Sequence, residues 1–178
     1  MKTIIVAGIT RSGLTLTMQM LYKGGYACFG EYPAFENYEI GDISWNDCKG
    51  KAVKLVDTQL QFPPTGEYHV IRLRRNYEQQ AKSMCKMIST FMDIKLTSSD
   101  RKRMQNSLSS DYAKIDAWMQ RQKSFIIIDF EDLILKPREM AEKIKIFTDA
   151  DLDLDKMVSC VISRSTDCFP TMLESKFI

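Results

Sequence analysis

The residues with the clearest chemical implication form a glycine-spaced loop near the start of the sequence. Gly8 and Gly13 have the G-x-x-x-x-G spacing of a phosphate-binding loop, between a β-branched apolar run and an apolar helical run. Such a loop curls backbone N–H groups around an anion at a helix N-terminus. Leu14 stands where nucleotide triphosphatases have lysine, so Arg11 is the cation within the loop. The pattern predicts a phosphate or sulfate site; the alternative is a turn in which glycine only relieves strain.

A second basic group follows a later apolar run. Arg72, Arg74 and Arg75 end a stretch typical of a buried strand, and the carboxyl ends of parallel strands face the ligand crevice. Arg75 is therefore predicted to lie near the glycine loop. Ser83 comes about two helical turns after Asn76, on roughly the same helix face. A guanidinium and a hydroxyl placed in this way can clamp one anion; the alternative is a row of solvated arginines paired with acids of residues 30–50.

Three separate stretches together carry a family pattern. Ala7–Leu16 has an arginine before Ser-Gly and a threonine after it, Arg75–Ser83 spaces an arginine and a serine from a strand end into a helix, and Ile128–Leu133 reads Ile-Asp-Phe-Glu-Asp-Leu after a late strand. Together they resemble the sulfotransferase superfamily, whose sulfuryl donor is 3′-phosphoadenosine 5′-phosphosulfate. The resemblance extends from residue 4 to about residue 148. Tyr77 and Gln79 depart from it, since the family usually has Pro and Asp after Arg-Asn.

The resemblance implies a set of site residues. Donor-binding residues would be Thr10, Arg11, Ser12, Gly13, Leu14, Thr15, Arg75 and Ser83. Catalytic residues would be Arg11, Lys54 and Asp57. Lys54 matches a lysine near the sulfuryl group, and Asp57 becomes the leading general base because Val56 occupies the place of a histidine that some members use. Glu31 and Glu36 are rival bases. The implied product is adenosine 3′,5′-bisphosphate, and the acceptor is a small molecule or saccharide with a hydroxyl or amine.

Asp129 supports a different class of function. The apolar run 125–128 ending in an aspartate is also how a P-loop kinase or triphosphatase holds magnesium. Leu14 argues against that class, because it replaces the lysine that contacts the terminal phosphates. A nucleotide-binding module without catalysis is a third possibility. The sulfotransferase interpretation itself predicts no metal site.

Strands alternate with helices along the chain, which is typical of an α/β fold with a mostly parallel sheet flanked by helices in three layers. Strands are predicted over residues 3–7, 51–56, 68–74 and 125–128. Helices are predicted over residues 14–23, 77–92, from 98 with a possible break at 109–111, from 137, and over 154–162. Asn76 is predicted to cap the second of these helices. Residues 30–50 are predicted to form a long loop.

Composition limits the remaining possibilities. A chain of 178 residues predicts one domain over residues 1–178. Its net charge of +2 gives no bulk electrostatic reason to bind nucleic acid or an acidic membrane. The five cysteines include no C-x-x-C pair, which argues against zinc and a disulfide framework, and no apolar run reaches the ~18 residues of a membrane span. A reducing cytoplasm is the expected location, and the oligomeric state is left open.

Overall fold

The computed structural model describes residues 1–36, 43–60 and 62–168. Within these ranges the strands are β1 (Ile4–Gly8), β2 (Ala52–Val56), β3 (His69–Arg74) and β4 (Ser124–Asp129). The helices there are α1 (Leu14–Lys23), α2 (Tyr77–Met92), α3 (Ser98–Met119), α4 (Phe130–Leu135), α5 (Pro137–Thr148) and α6 (Leu154–Val158).

The four strands form one parallel sheet in the order β2-β1-β3-β4. All five residues of β1 are buried, as expected for a central strand covered on both faces. Ile4 and Val6 belong to the core on one face, and Ile5 and Ala7 to the core on the other, because successive side chains of a strand point to opposite sides. The predicted α/β fold with a parallel sheet between helices is confirmed.

Helices cover both faces of this sheet. The first face packs against α1, α4, α5 and α6 through the buried residues Met18, Leu21, Leu133, Ile144 and Met157. The second face packs against α2 and α3 through the buried residues Ala81, Leu108, Ile115, Trp118 and Met119. The predicted three layers, helix, sheet and helix, are therefore present.

Helix ends agree with the sequence patterns at some positions and differ at others. The Asn76 side chain accepts hydrogen bonds from the Glu78 and Gln79 N–H groups at the start of α2, which confirms the predicted cap. The helix α3 continues through 109–111, because the buried stripe that includes Tyr112 outweighs the weak helix preference of Ser-Ser-Asp. The prediction for the last helix is too long, since α6 ends at Val158, and α4 is not predicted at all.

The connection between α1 and β2 is only partly described. Cys28 forms an isolated bridge beside Ala52, which brings the start of this connection against the sheet. The middle of the predicted 30–50 loop, residues 37–42, lies outside the described residues. Across the described ranges no helix has the length and apolar content needed to cross a membrane, and the cysteines there form no disulfide.

Parallel pairing brings three chain segments to one edge of the sheet. The register pairs Gly8 with Val56 and Ala7 with Arg72, so β1, β2 and β3 end side by side. The glycine loop follows β1, Asp57 follows β2 and Arg75 follows β3. This edge carries the candidate site, as the carboxyl ends of strands do in open α/β sheets.

Candidate anion-binding site

The glycine loop makes a tight turn from β1 into α1. Arg11 has a φ of 68° and Gly13 a φ of 103°, both in the left-handed region, and the Ser12 N–H donates to the Ile9 carbonyl at 3.2 Å. Glycine is required at position 13 for two reasons. Its φ is in the left-handed region, and a Cβ there would come within 2.9 Å of the Phe130 ring. In the part of the chain that the structure describes, no side chain forms a capping hydrogen bond at the N-terminus of α1. The first-turn N–H groups of the helix therefore face the crevice with their partial positive charge.

Two side chains, the half-buried Asp57 and the fully buried Gln80, fix the loop from opposite sides of Thr10. Asp57 Oδ1 accepts a hydrogen bond from the Thr10 N–H at 2.8 Å, and Gln80 Nε2 donates to the Thr10 carbonyl at 2.9 Å. Gln80 is itself held by the Tyr112 hydroxyl, which donates to Gln80 Oε1 at 2.8 Å. Burial raises the pKa of Asp57, and its bond to Thr10 acts in the opposite direction. The loop is thus shaped by the protein before any ligand arrives.

The loop meets the second basic element directly. Arg11 Nε donates to Ser83 Oγ at 2.9 Å, and Arg75 donates from Nη1 to the Arg11 carbonyl at 3.1 Å. The first contact joins residues that are 72 positions apart in the chain, and the second joins residues that are 64 positions apart. The sequence prediction that Arg75 and Ser83 lie near the glycine loop agrees with this placement.

Arg75 is a buried cation that lacks a carboxylate partner among the described residues. It is only 6% exposed, its guanidinium carbon lies 4.3 Å from the centre of the Phe130 ring, and burial lowers its pKa. Within the described ranges it forms no ion pair with a carboxylate, and its buried Nε has no hydrogen-bond partner. Burying a charge in this way is costly unless an opposite charge joins it. The arginine is therefore suited to receive an anion.

A cavity of about 380 Å³ opens over the loop and Arg75. Five cationic side chains and one acidic side chain line it among the described residues, and we call it the basic cavity. The cations are Arg11, Lys54, Arg75, Lys86 and Arg164, and the acid is Glu36. An excess of cations within low-dielectric walls concentrates anions. The volume lies within the usual range for small-molecule sites, ~300–1,000 Å³.

Lys54 and Glu36 form a polar pair at one wall of this cavity. Lys54 Nζ lies 2.7 Å from Glu36 Oε1 and 3.3 Å from Thr15 Oγ1, and it also contacts the Ala34 carbonyl. The Lys54 side chain is 1% exposed, and burial lowers its pKa while Glu36 opposes that shift. Phe35 is fully buried against the rings of Tyr22 and Tyr32, which anchors the segment that carries Glu36.

Residues 160–168, which we call the strap, cross the cavity beyond α6. The Thr166 carbonyl accepts from Arg75 at 3.4 Å, and the Cys168 N–H donates to Gln79 Oε1 at 2.9 Å. Arg164 lies 5.4 Å from the Phe130 ring and lines the cavity. Sequence reasoning missed the strap because no motif marks it. The early end of α6 is the feature that frees this segment to reach the site.

Eight of the predicted site residues line the basic cavity. They are Thr10, Arg11, Gly13, Leu14, Thr15, Lys54, Arg75 and Ser83. Ser12 and Asp57 do not line it. The Ser12 side chain is fully buried toward Gly8, and Asp57 is engaged with the loop at Thr10. Of the rival bases, Glu36 lines the cavity and Glu31 does not.

Asp129, the residue that supported a magnesium-dependent function, lies outside the basic cavity. Arg74 holds both of its carboxylate oxygens, with Nε 2.5 Å from Oδ1 and Nη2 2.8 Å from Oδ2. These hydrogen bonds also lower the pKa of Asp129. The Asp129 carboxylate therefore pairs with Arg74 at the end of β3, and it does not line the cavity over the glycine loop.

No protein-family model matches the chain, and no curated protein sequence matches it. The positions, charges and burial of the chain's own residues therefore define the candidate site.

Proposed function

We propose that this protein is a sulfotransferase that moves a sulfuryl group from 3′-phosphoadenosine 5′-phosphosulfate to a hydroxyl or amine of a small-molecule or saccharide acceptor. The observation that carries the proposal is the contact between its two anion elements. Arg75, 6% exposed and without a carboxylate partner in the described ranges, bonds to the carbonyl of Arg11, whose guanidinium reaches Ser83. A donor with phosphate groups at both the 5′ and the 3′ position would use both elements together.

The donor's groups are assigned to the two elements by the sequence resemblance. The loop amides and Arg11 would hold the 5′-phosphosulfate at the N-terminus of α1, where the helix dipole favours negative charge. Arg75 and Ser83 would hold the 3′-phosphate. Among the described residues, five cations and one acid line the cavity, and this balance suits a ligand with several negatively charged groups.

The chemistry requires little covalent help from the protein. The acceptor oxygen or nitrogen forms a bond to sulfur as the bond from sulfur to the bridging phosphate oxygen breaks, and adenosine 3′,5′-bisphosphate leaves with that electron pair. Arg11 would stabilise the charge that develops on the leaving phosphate. Lys54, beside Thr15, would stabilise the transferring sulfuryl oxygens.

The acceptor's proton needs a base, and the geometry favours Glu36 for that role. Glu36 lines the basic cavity and lies 2.7 Å from Lys54, whereas Asp57 is half-buried, does not line the cavity and accepts from the Thr10 N–H. We therefore assign Asp57 to loop positioning and Glu36 to proton transfer. A general base must come within hydrogen-bond reach of the proton it removes, and only a cavity-lining group can meet that condition.

The magnesium-dependent alternative is less well supported. Its metal ligand, Asp129, is held by Arg74 outside the basic cavity, and Leu14 occupies the place of the phosphate-bridging lysine. We also propose a reducing cytoplasm as the location, on the cysteine pattern alone.

Calorimetric titration with two nucleotides tests the proposal. Arg75→Ala should weaken binding of adenosine 3′,5′-bisphosphate about tenfold to a hundredfold, because a hydrogen bond to a charged group contributes about 1.5–3 kcal/mol. Ser83→Ala should weaken it about fivefold, since a neutral hydroxyl bond contributes about 1 kcal/mol. Adenosine 5′-phosphate lacks the 3′ group, so its affinity should change by less than about twofold.

Arg74→Ala is the matched control. Arg74 is the neighbouring arginine, pairs with Asp129 and does not line the basic cavity, so its loss should leave both affinities unchanged. Equal losses for the two nucleotides in Arg75→Ala and Ser83→Ala would contradict the assignment of a 3′-phosphate site. Tight bisphosphate binding without any transfer to an acceptor would instead favour a nucleotide-binding module without catalysis.

A further inference from the structure

The end of α2 and the turn that follows it expose a group of large apolar side chains. Phe91 is 72% exposed, Met92 is 67% exposed and Ile94 is 45% exposed, and we call these three residues the apolar tip. Single exposed apolar side chains are ordinary on protein surfaces, but here three of four consecutive residues are involved. A contiguous exposed patch of this kind marks an interaction surface.

Caps on both sides fix the turn that carries the apolar tip. The helix α2 ends at Asp93, whose φ of 50° lies in the left-handed region that terminates helices. The next helix, α3, begins with a capping box, in which the Asp100 N–H donates to Thr97 Oγ1 at 3.2 Å and the Thr97 N–H donates to Asp100 Oδ2 at 2.9 Å. The tip is thus presented by a short connection between two capped helix ends.

Cations outnumber acids on both sides of the apolar tip. Residues 86–103, all of them described, include five cations and two acids, a local net charge of +3. The cations are Lys86, Lys95, Arg101, Lys102 and Arg103, and the acids are Asp93 and Asp100. Asp100 is paired with Arg103. Glu78, an acid of α2 on which some of these cations also act, is paired with Lys82 at 2.7 Å.

We infer that the apolar tip docks on a membrane surface that contains anionic lipids. Apolar side chains flanked by Lys and Arg suit such a surface, because the apolar groups enter the boundary between headgroups and acyl chains while the cations attract the anionic headgroups. Docking of this kind needs no spanning helix, and none is found in the described ranges. It depends on the charge near the tip, which the whole-chain charge of +2 does not reveal. The inference is independent of the proposed function.

A second copy of the chain fits the apolar tip less well than a bilayer does. A stable interface removes about 800 Å² of surface from each partner, whereas one aromatic side chain supplies about 150–250 Å². Three partly exposed side chains therefore fall short of a dimer interface. Two copies that met through their tips would also bring like charges together, which opposes association. An anionic bilayer supplies the opposite charge.

Vesicle flotation tests the charge requirement. The wild type should bind vesicles of phosphatidylcholine with phosphatidylserine, bind phosphatidylcholine alone much more weakly, and lose binding as salt rises. Lys95→Gln and Lys102→Gln should each weaken binding to the mixed vesicles about fivefold. Lys136→Gln is the matched control, since Lys136 is an exposed lysine between α4 and α5, which pack on the other face of the sheet. Equal losses in the three variants, or equal binding to both kinds of vesicle, would overturn the inference.

A second set of variants tests the apolar requirement. Met92→Ser should weaken binding to the mixed vesicles about tenfold, because one large apolar side chain no longer enters the bilayer. Ile146→Ser is the matched control, since Ile146 is 80% exposed but belongs to α5. Equal effects of the two variants would contradict the assignment of the tip. Dimers that Met92→Ser abolishes, in a wild type that binds no vesicles, would show that a second copy occupies the tip instead.

Fluorescence of Phe91→Trp shows whether the tip enters the bilayer. The wild-type spectrum, which contains Trp45 and Trp118, is subtracted. The added emission should shift to shorter wavelength with the mixed vesicles, and lipids brominated on their acyl chains should quench it. A short-wavelength emission that acrylamide cannot quench in the absence of vesicles would mean that another part of the chain covers the tip, and it would overturn the inference. So would an emission that the vesicles leave unchanged.

Discussion

Gln80 joins the glycine loop to α3, and its replacement tests whether the protein itself holds that loop in shape. The side chain is fully buried, donates to the Thr10 carbonyl at 2.9 Å and accepts from the Tyr112 hydroxyl at 2.8 Å. Gln80→Met keeps the length of the side chain and fills its volume while it removes both hydrogen bonds. The Tyr112 hydroxyl is then left buried without a partner, which costs about 1–3 kcal/mol, and the partly exposed Thr10 carbonyl loses about 0.5–1.5 kcal/mol.

The free energy of unfolding should therefore fall by about 1.5–4.5 kcal/mol in Gln80→Met, measured by urea denaturation with an unchanged slope. Gln79→Met is the matched control. Among the described residues the adjacent Gln79 side chain makes one hydrogen bond, from the Cys168 N–H at 2.9 Å, and the loss of that bond should cost about 1 kcal/mol. The affinity for adenosine 3′,5′-bisphosphate should also fall in Gln80→Met, because the loop amides lose their fixed direction. If the two variants lost the same stability, Gln80 would not be the residue that holds the loop.

Three further results are expected. Asp57→Asn should keep most of the sulfuryl-transfer activity, because asparagine can still accept a hydrogen bond from the Thr10 N–H and tolerates the φ of 50° at this position. A loss of activity of a thousandfold or more would instead identify Asp57 as the base. A chelator should leave that activity unchanged, and Asp129→Asn should affect stability alone; activity restored by magnesium would favour the kinase class. The pKa of His69 is lowered mainly by burial, with Lys2 and Lys123 adding to the shift and Glu67 opposing it. The unfolded chain therefore binds this proton better, so the free energy of unfolding should fall as pH drops from 7.5 to 5.5, and should fall less in His69→Gln, as urea midpoints at the two pH values would show.

Local patterns were enough to predict most of the sheet and the helices that follow it. The run from Ile4 to Lys23 carries its own signals: β-branched residues, a glycine loop, an apolar helix and a glycine stop. The Asn76 cap depends on neighbouring residues alone, and it too was predicted correctly. Once the strands are parallel, the ends of β1, β2 and β3 must share an edge, so the proximity of Arg75 to the glycine loop also follows from sequence.

The features of the site that could not be predicted from the sequence depend on contacts between residues far apart in the chain. The sequence places Asp57 at a strand end, but it does not show that the pairing of Gly8 with Val56 brings the Asp57 carboxylate within 2.8 Å of the Thr10 N–H. Ser12 matches a family motif, yet the turn of the loop buries its side chain. The strap reaches the site across 89 residues of sequence, from Cys168 to Gln79, and no spacing rule anticipates such a contact.

Thermal unfolding with two nucleotides tests the central claim most directly. Adenosine 3′,5′-bisphosphate at a hundred times its dissociation constant should add about 2.7 kcal/mol to the free energy of unfolding. For a chain of this size that corresponds to a rise in Tm of about 5–11 °C. ATP with magnesium, which lacks a 3′-phosphate for Arg75 and Ser83, should raise the Tm much less at the same concentration. A larger rise with ATP and magnesium than with the bisphosphate would contradict the claim that the basic cavity is built for a 3′-phosphorylated donor.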